Sequence, residues 1–107
     1  MGADFDIIKK IFLKGKIIMK AVITVVGHDA KGIIAKVSAK CAEAGANIVD
    51  ISQSVLSDYF AMIMVIEIAE LTCGFTDFAN ELSALGKAEN LDIRAMHESI
   101  FDAMHKI

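Results

Sequence analysis

The chain has no proline and no tryptophan, one tyrosine and two cysteines among 107 residues. Without proline its turns lose one source of rigidity. Cys41 and Cys73 stand singly inside patterned segments rather than as a metal-like pair, which fits reduced, packed thiols in a cytoplasmic protein. The net charge of −3 gives no basic field for nucleic acid, and six Phe and one Tyr leave little to stack on bases. No apolar stretch approaches the ~20 residues of a membrane span, and lysines interrupt the N-terminal segment where a secretory signal needs an unbroken run. A nucleophile elbow, a phosphate-binding glycine loop and zinc-ligand spacing are all missing, so the sequence points to no enzyme and to no cofactor.

What remains is a strongly apolar chain, 55% hydrophobic, of a length that suits one domain with a single core. Residues 1–18 differ in kind from the rest. They carry Lys9, Lys10, Lys14 and Lys16 against Asp4 and Asp6, contributing +2 and leaving −5 to the remainder. Ile7, Ile8, Ile11 and Phe12 recur at helical spacing, and Met19-Lys20-Ala21-Val22 reads as a natural start before a strand. The expected organisation is therefore an N-terminal extension at 1–18, able to pack as a helix, followed by a domain at 19–107. The basic and apolar faces of the extension are too small to favour a membrane-surface helix.

Residues 20–27 are rich in β-branched types and predict a strand. Ile34, Val37, Ser38, Cys41, Ala42 and Gly45 repeat at helical spacing, predicting a helix that faces a core with small residues and stops at Gly45. Two extended runs, Ile48 to Leu56 and Tyr59 to Ile68, flank Ser57-Asp58 as a tight hairpin. A second helix is marked by Phe75, Phe78, Leu82 and Leu85 and expected to end at Gly86, a fourth strand follows at Leu91 to Met96, and Ser99 is placed to cap a short last helix. The order β-α-β-β-α-β, with right-handed crossovers, gives an α+β, ferredoxin-like fold: a four-stranded antiparallel sheet with two helices on one face, plus short terminal helices.

The third strand is apolar on both faces, Tyr59, Ala61, Ile63 and Val65 alternating with Phe60, Met62, Met64 and Ile66, yet two helices cover only one. Several hundred Å² left bare at ~25 cal/mol per Å² would forfeit many kcal/mol. A homo-oligomer, at least a dimer, is the economical cover.

The turn Val26-Gly27-His28-Asp29-Ala30-Lys31-Gly32-Ile33 carries the best functional clue. A helix start after a strand presents unpaired N–H groups and partial positive charge, which suit the carboxylate of a small molecule. Asp29, three residues before Gly32, suits a cap on those same amides and would compete with an anion unless the ligand also brings an amino group. An amino acid has both. Asn47 offers a donor and an acceptor to such a ligand, while an Asn after a helix-ending glycine also serves as a plain turn residue. His28 stands on an exposed turn with no chemistry required of it. His97 and His105 would need folding to converge on a metal, and their spacing does not do so. Asp50, Ser52 and Ser54 share one face of the second strand and read as a polar strip at a subunit edge or as solvent-facing side chains.

The stretch from Val25 to Ile33, the helix through Cys41-Ala42-Glu43-Ala44-Gly45 and the run Asn47-Ile48-Val49-Asp50-Ile51-Ser52-Gln53 resemble an ACT domain, nearest to small stand-alone prokaryotic forms and to the ACT modules of the glycine-cleavage regulator and formyltetrahydrofolate deformylase. The likeness runs from about Met19 to the C-terminus. It implies a regulatory domain that pairs with its own kind and binds a small molecule, often an amino acid, between the first turn of one copy and the second strand of the other. Carried over, Gly32 and Ile33 offer backbone amides, His28 and Asp29 line the mouth, and Asn47 and Ile48 close the site. Many relatives have Pro before the turn glycine, where Lys31 stands here. The alternative reading is a protein–protein interaction module with no ligand.

Overall fold

A computed structural model of the protein describes residues 19–29 and 31–104. The expected extension at 1–18 and His105 lie outside the described residues. The elements are β1 (Lys20–Gly27), α1 (Ile33–Ala44), β2 (Asn47–Leu56), β3 (Tyr59–Glu67), α2 (Phe75–Ala88), β4 (Asp92–His97) and α3 (Glu98–Met104). The sheet order is β2-β3-β1-β4, every neighbouring pair antiparallel, so the two most apolar strands hold the centre. This is the ferredoxin-like arrangement with one added C-terminal helix.

Strand alternation sorts the central residues by face. Ala21, Ile23 and Val25 of β1 and Met62, Met64 and Ile66 of β3 join Ile93 of β4 in one buried cluster. Helix α1 contributes Ile33, Val37, Cys41 and Ala44 at steps of about one turn, and α2 contributes Phe78 and Leu82 at i and i+4. Each Val, Ile, Leu, Met or Phe among them adds roughly 1.5–3 kcal/mol on burial. Lys36 of α1 pairs with Glu89 just beyond α2, tying the two helices at their solvent side.

The turns explain the element ends. Gly45 closes α1 at φ 79, with its N–H donating to Ala42 O and that of Ala46 donating to Cys41 O, the paired bonds of a left-handed helix stop. Two residues, Ser57 and Asp58, connect β2 to β3, with Ser57 at φ 57. A bulge at Val49 shifts the β2 register between Ile48 and Asp50. Ile48 and Ile51 therefore both pair with core-facing residues of β3, while Asp50, Ser52 and Ser54 pair with Val65, Ile63 and Ala61 on the other face.

Several boundaries differ from the sequence expectation; β2 starts one residue early, β3 ends at Glu67 and β4 at His97. Helix α2 runs through Gly86 to Ala88, because Gly86 is a contact residue: a Cβ there would lie 2.6 Å from Leu91 O and 2.9 Å from Ile93 Cγ1. The chain turns instead at Asn90, φ 58. The last helix starts at Glu98, which puts Ser99 inside its first turn rather than at a cap. Strand β4 begins one residue late, at Asp92, Leu91 being the buried residue that closes against Gly86.

Among the described residues, the face opposite α1 and α2 is covered over β1 and β4 alone. Helix α3 packs against β1 and β4, and Val22, on this face and outside the core cluster, is 2% exposed. Val26, Leu56, Tyr59 and Ile63 remain exposed. No described helix is long and apolar enough to cross a membrane.

Two stability outcomes follow from this packing. Gly86→Ala forces a methyl against the backbone of Leu91 and is expected to cost about 1–3 kcal/mol, read as a lowered melting temperature with unchanged circular dichroism at 20 °C. Burial pushes the Cys41 thiol up from 9.0 to about 11. In the unfolded chain the thiol ionises first, so between those values the unfolded state binds fewer protons and stability falls as pH rises. Urea titrations from pH 8 to 11 are expected to show this decline, with a shallower slope in Cys41→Ala.

Candidate functional site

Strand β1 delivers the chain to an exposed turn at His28, and the helix that follows starts without a side-chain cap. Its N-cap is Gly32, at φ 74 in the left-handed region, with no acidic residue in the first turn of α1. This corrects the expected role of Asp29 as a helix cap. The helix begins four residues beyond Asp29, out of its reach, and the Asp29 carboxylate accepts a hydrogen bond from the Lys31 amide at 3.1 Å instead. The earliest helical bond at this end runs from Lys36 N to Gly32 O. The amides of Ile33, Ile34 and Ala35 therefore precede the hydrogen-bonded ladder, and the positive end of the helix faces outward without a neutralising carboxylate from its own first turn.

A cleft of about 600 Å³ opens beside this helix start. His28, Lys31, Gly32 and Ile34 form one wall; Gln53 and Val55 of β2 and Tyr59 and Phe60 of β3 form the other; the hairpin residues Ser57 and Asp58 stand at its end. The register explains why these segments meet: Gly27 pairs with Phe60, so the turn after β1 and the start of β3 are neighbours across the sheet. The imidazole of His28 stacks against the Tyr59 ring, centroids 4.4 Å apart and planes at 35°. The lining combines an ammonium, a carboxylate, an amide and hydroxyls with apolar surface from Ile34, Val55 and Phe60, a mixture that suits a small zwitterion with an apolar part. Its volume falls within the ~300–1,000 Å³ of small-molecule sites.

Of the residues expected from sequence, His28 and Gly32 line this cleft. Asp29 is exposed on the turn beside it. Ile33 is 1% exposed, so its side chain belongs to the core and only its amide is at the helix start. Asn47 and Ile48 are elsewhere: Asn47 pairs with Glu67, and Glu67 with Lys20, at the opposite end of the sheet from Gly27. Seven residues of strand at ~3.3 Å each separate the two ends by about 23 Å. One chain does not bring the six together. Asn47 is also not a left-handed turn residue, since Gly45 takes that conformation and Asn47 heads β2, exposed. Lys31, Gln53, Asp58, Tyr59 and Phe60 were not singled out from sequence; the signal for them was topological, the hairpin tip being bound to reach the first turn once β3 lies beside β1.

Elsewhere, His97 stacks on Phe75 with centroids 4.3 Å apart, a packing contact at the start of α2. Among the described residues, no group of three or more His, Cys, Asp and Glu side chains converges.

Residues 20–96 match the family model described as the ACT domain. A UPF0237 protein of Listeria innocua is 44% identical over 89 residues, 83% of this chain and 100% of the relative. Among solved structures, an ACT domain protein from Streptococcus pneumoniae is 48% identical, with a TM-score of 0.68 over 81% of this chain and 98% of that one. A candidate glycine cleavage system transcriptional repressor is 28% identical with a TM-score of 0.63, matching 75% of this chain and 45% of its own.

The cap assignment has a direct test in melting temperature. Asp29→Ala is expected to cost under ~0.5 kcal/mol, as at an ordinary surface position, rather than the ~1 kcal/mol of a lost N-cap. Gly32→Ala, at a left-handed φ, is expected to cost about 1–2 kcal/mol.

Proposed function

The chain belongs to the ACT domain family, and from that membership we propose that it is a non-catalytic, cytoplasmic regulatory domain, formed by residues 19–107, that binds an amino-acid-like molecule as a homo-oligomer. ACT domains generally bind small molecules in regulation. The observation that carries the reading here is the uncapped start of α1 at the wall of a cleft lined by one ammonium, Lys31, and one carboxylate, Asp58. The ligand carboxylate is taken by the amides after Gly32 with Lys31 alongside, and its amino group by a carboxylate or carbonyl of the rim, where Asp58 lines the cleft and Asp29 accepts from the Lys31 amide.

A second copy is what makes Asn47 and Ile48 part of the same site. Strands β1 and β2 both run antiparallel to β3, hence parallel to each other, so β2 starts at the far end of the sheet and finishes beside the cleft. β2 is an edge strand, ten residues long, and nearly all of it is exposed. Two copies pairing their β2 edges about a two-fold axis would set Asn47 of each opposite the Leu56 end of the other, next to the turn that carries His28 and Gly32. The split of the six residues between two ends of one sheet is thus what an inter-subunit site requires. Ligand binding across that seam would bias the quaternary arrangement, the means by which such a domain reports to a partner.

Tyr59 supplies a built-in probe, being the sole tyrosine in a chain without tryptophan. Titration with the twenty amino acids, followed by calorimetry and by Tyr59 emission, is expected to give a saturable response for one chemical class. Gly32→Val and Asn47→Ala, both checked by circular dichroism, are each expected to abolish it. Mixing the two inactive variants is expected to restore about a quarter of the wild-type capacity, because half of the randomly formed pairs carry one intact site of two. Absence of any response to all twenty, from a folded dimer, counts against the sensor and favours an interaction module without ligand.

A further inference from the structure

We propose that the cleft beside the start of α1 selects an amino acid with a large apolar side chain, which packs onto a patch formed by Ile34, Val55, Tyr59 and Phe60. Such selectivity rests on the cleft being the amino-acid site proposed above. All four residues line it. Ile34 and Phe60 are half-buried and pack against the core cluster, so the core itself reaches the cleft through them. Val55 and Tyr59 are 72% and 52% exposed, and no large apolar side chain among the described residues is more exposed than Val55.

Strand pairing puts the patch on the helix-bearing side of the sheet. Val55 pairs with Phe60, and Gln53 pairs with Met62, which is 1% exposed in the core. Cross-strand partners share a face, and so do residues two apart on one strand. Gln53, Val55 and Phe60 therefore lie on the side that carries α1, at the hairpin end, where the cleft opens beside the helix start.

The charges of the cleft are committed to the two groups that every amino acid has. Lys31 and the amides after Gly32 take the carboxylate, and Asp58 takes the amino group. What remains for the ligand side chain is the apolar patch, the neutral groups of Gln53 and Ser57, and the His28 ring, which already stacks on Tyr59 with centroids 4.4 Å apart. A charged side chain would shed its hydration against this patch without gaining a counter-charge. Glycine, alanine or serine would leave the patch in water. A long aliphatic or an aromatic side chain covers it, and each methylene so buried tightens binding about fourfold. The cleft, at about 600 Å³, has room for either kind.

Calorimetric titration of the full chain with the twenty amino acids, norvaline and norleucine tests this, weak ligands being read by displacement of the tightest. Affinity is expected to rise about fourfold per methylene, or about 60-fold from alanine to norleucine, with aspartate and lysine no tighter than alanine. Val55→Ser, checked by circular dichroism and sedimentation, is expected to weaken norleucine about fivefold and alanine less than twofold. Binding that ignores side-chain size, or that is tightest for a small or a charged amino acid, would overturn the selectivity and leave the amino-acid site standing. No binding by any of them would remove site and selectivity together. A Val55→Ser chain that halves in mass and keeps the wild-type order of affinities would put Val55 in the subunit seam and overturn its place in the patch.

Discussion

The pairing of β1 with β3 is the contact on which the rest of the molecule depends. It runs the full length of β1, from Lys20 opposite Glu67 to Gly27 opposite Phe60. Because both strands alternate in register, it sets six of the core side chains under the helices and a second apolar row on the far side in a single step. The same register brings the tip of the β2–β3 hairpin to the turn after β1, and so builds the cleft. A slip of one residue would exchange the two faces and separate Tyr59 from His28.

The helices contribute by what they cover and by what they leave. Cys41, Ala44 and Gly86 are small, and at Gly86 the helix lies so near Leu91 and Ile93 that no side chain fits. Close packing of α1 and α2 on one face goes with a sheet whose other face, among the described residues, has the seven residues of α3 for cover. The start of α1 forgoes the ~1 kcal/mol that a side-chain cap supplies. Stability of that helix comes instead from the burial of Ile33, Val37 and Cys41, which frees the helix start for a different use.

Much of the fold was legible because its signals are local. Helical spacing from Ile34 to Ala42, the Gly45 stop, the Ser57-Asp58 hairpin and the two apolar central strands each announce themselves within a dozen residues. Gly86 misled because a glycine near a helix end signals a stop, whereas here it answers to Leu91 and Ile93, contacts that exist only after folding. Asp29 misled in a similar way: its spacing from Gly32 suits a cap, but the left-handed Gly32 is itself the N-cap and puts the first helical residue out of the carboxylate's reach. The site was legible at His28 and Gly32, where the turn chemistry is in the sequence, and not at Gln53, Tyr59 and Phe60, which arrive through strand pairing. Asn47 and Ile48 lie beyond what a single chain assembles.

Strand β2 has one further consequence. Its ten residues contain no lysine and no proline, and its only irregularity, the bulge at Val49, falls near the start, leaving a regularly paired run from Ile51 to Leu56 at the edge of the described sheet, with Ile51, Val55 and Leu56 exposed. Most proteins guard such a rim with charge, a kink or a covering segment. Here the hairpin closes through two residues, so the rim forms locally as the chain folds. Under the proposed β2 pairing, newly made chains pass through an interval in which correct assembly and indiscriminate strand addition draw on the same surface.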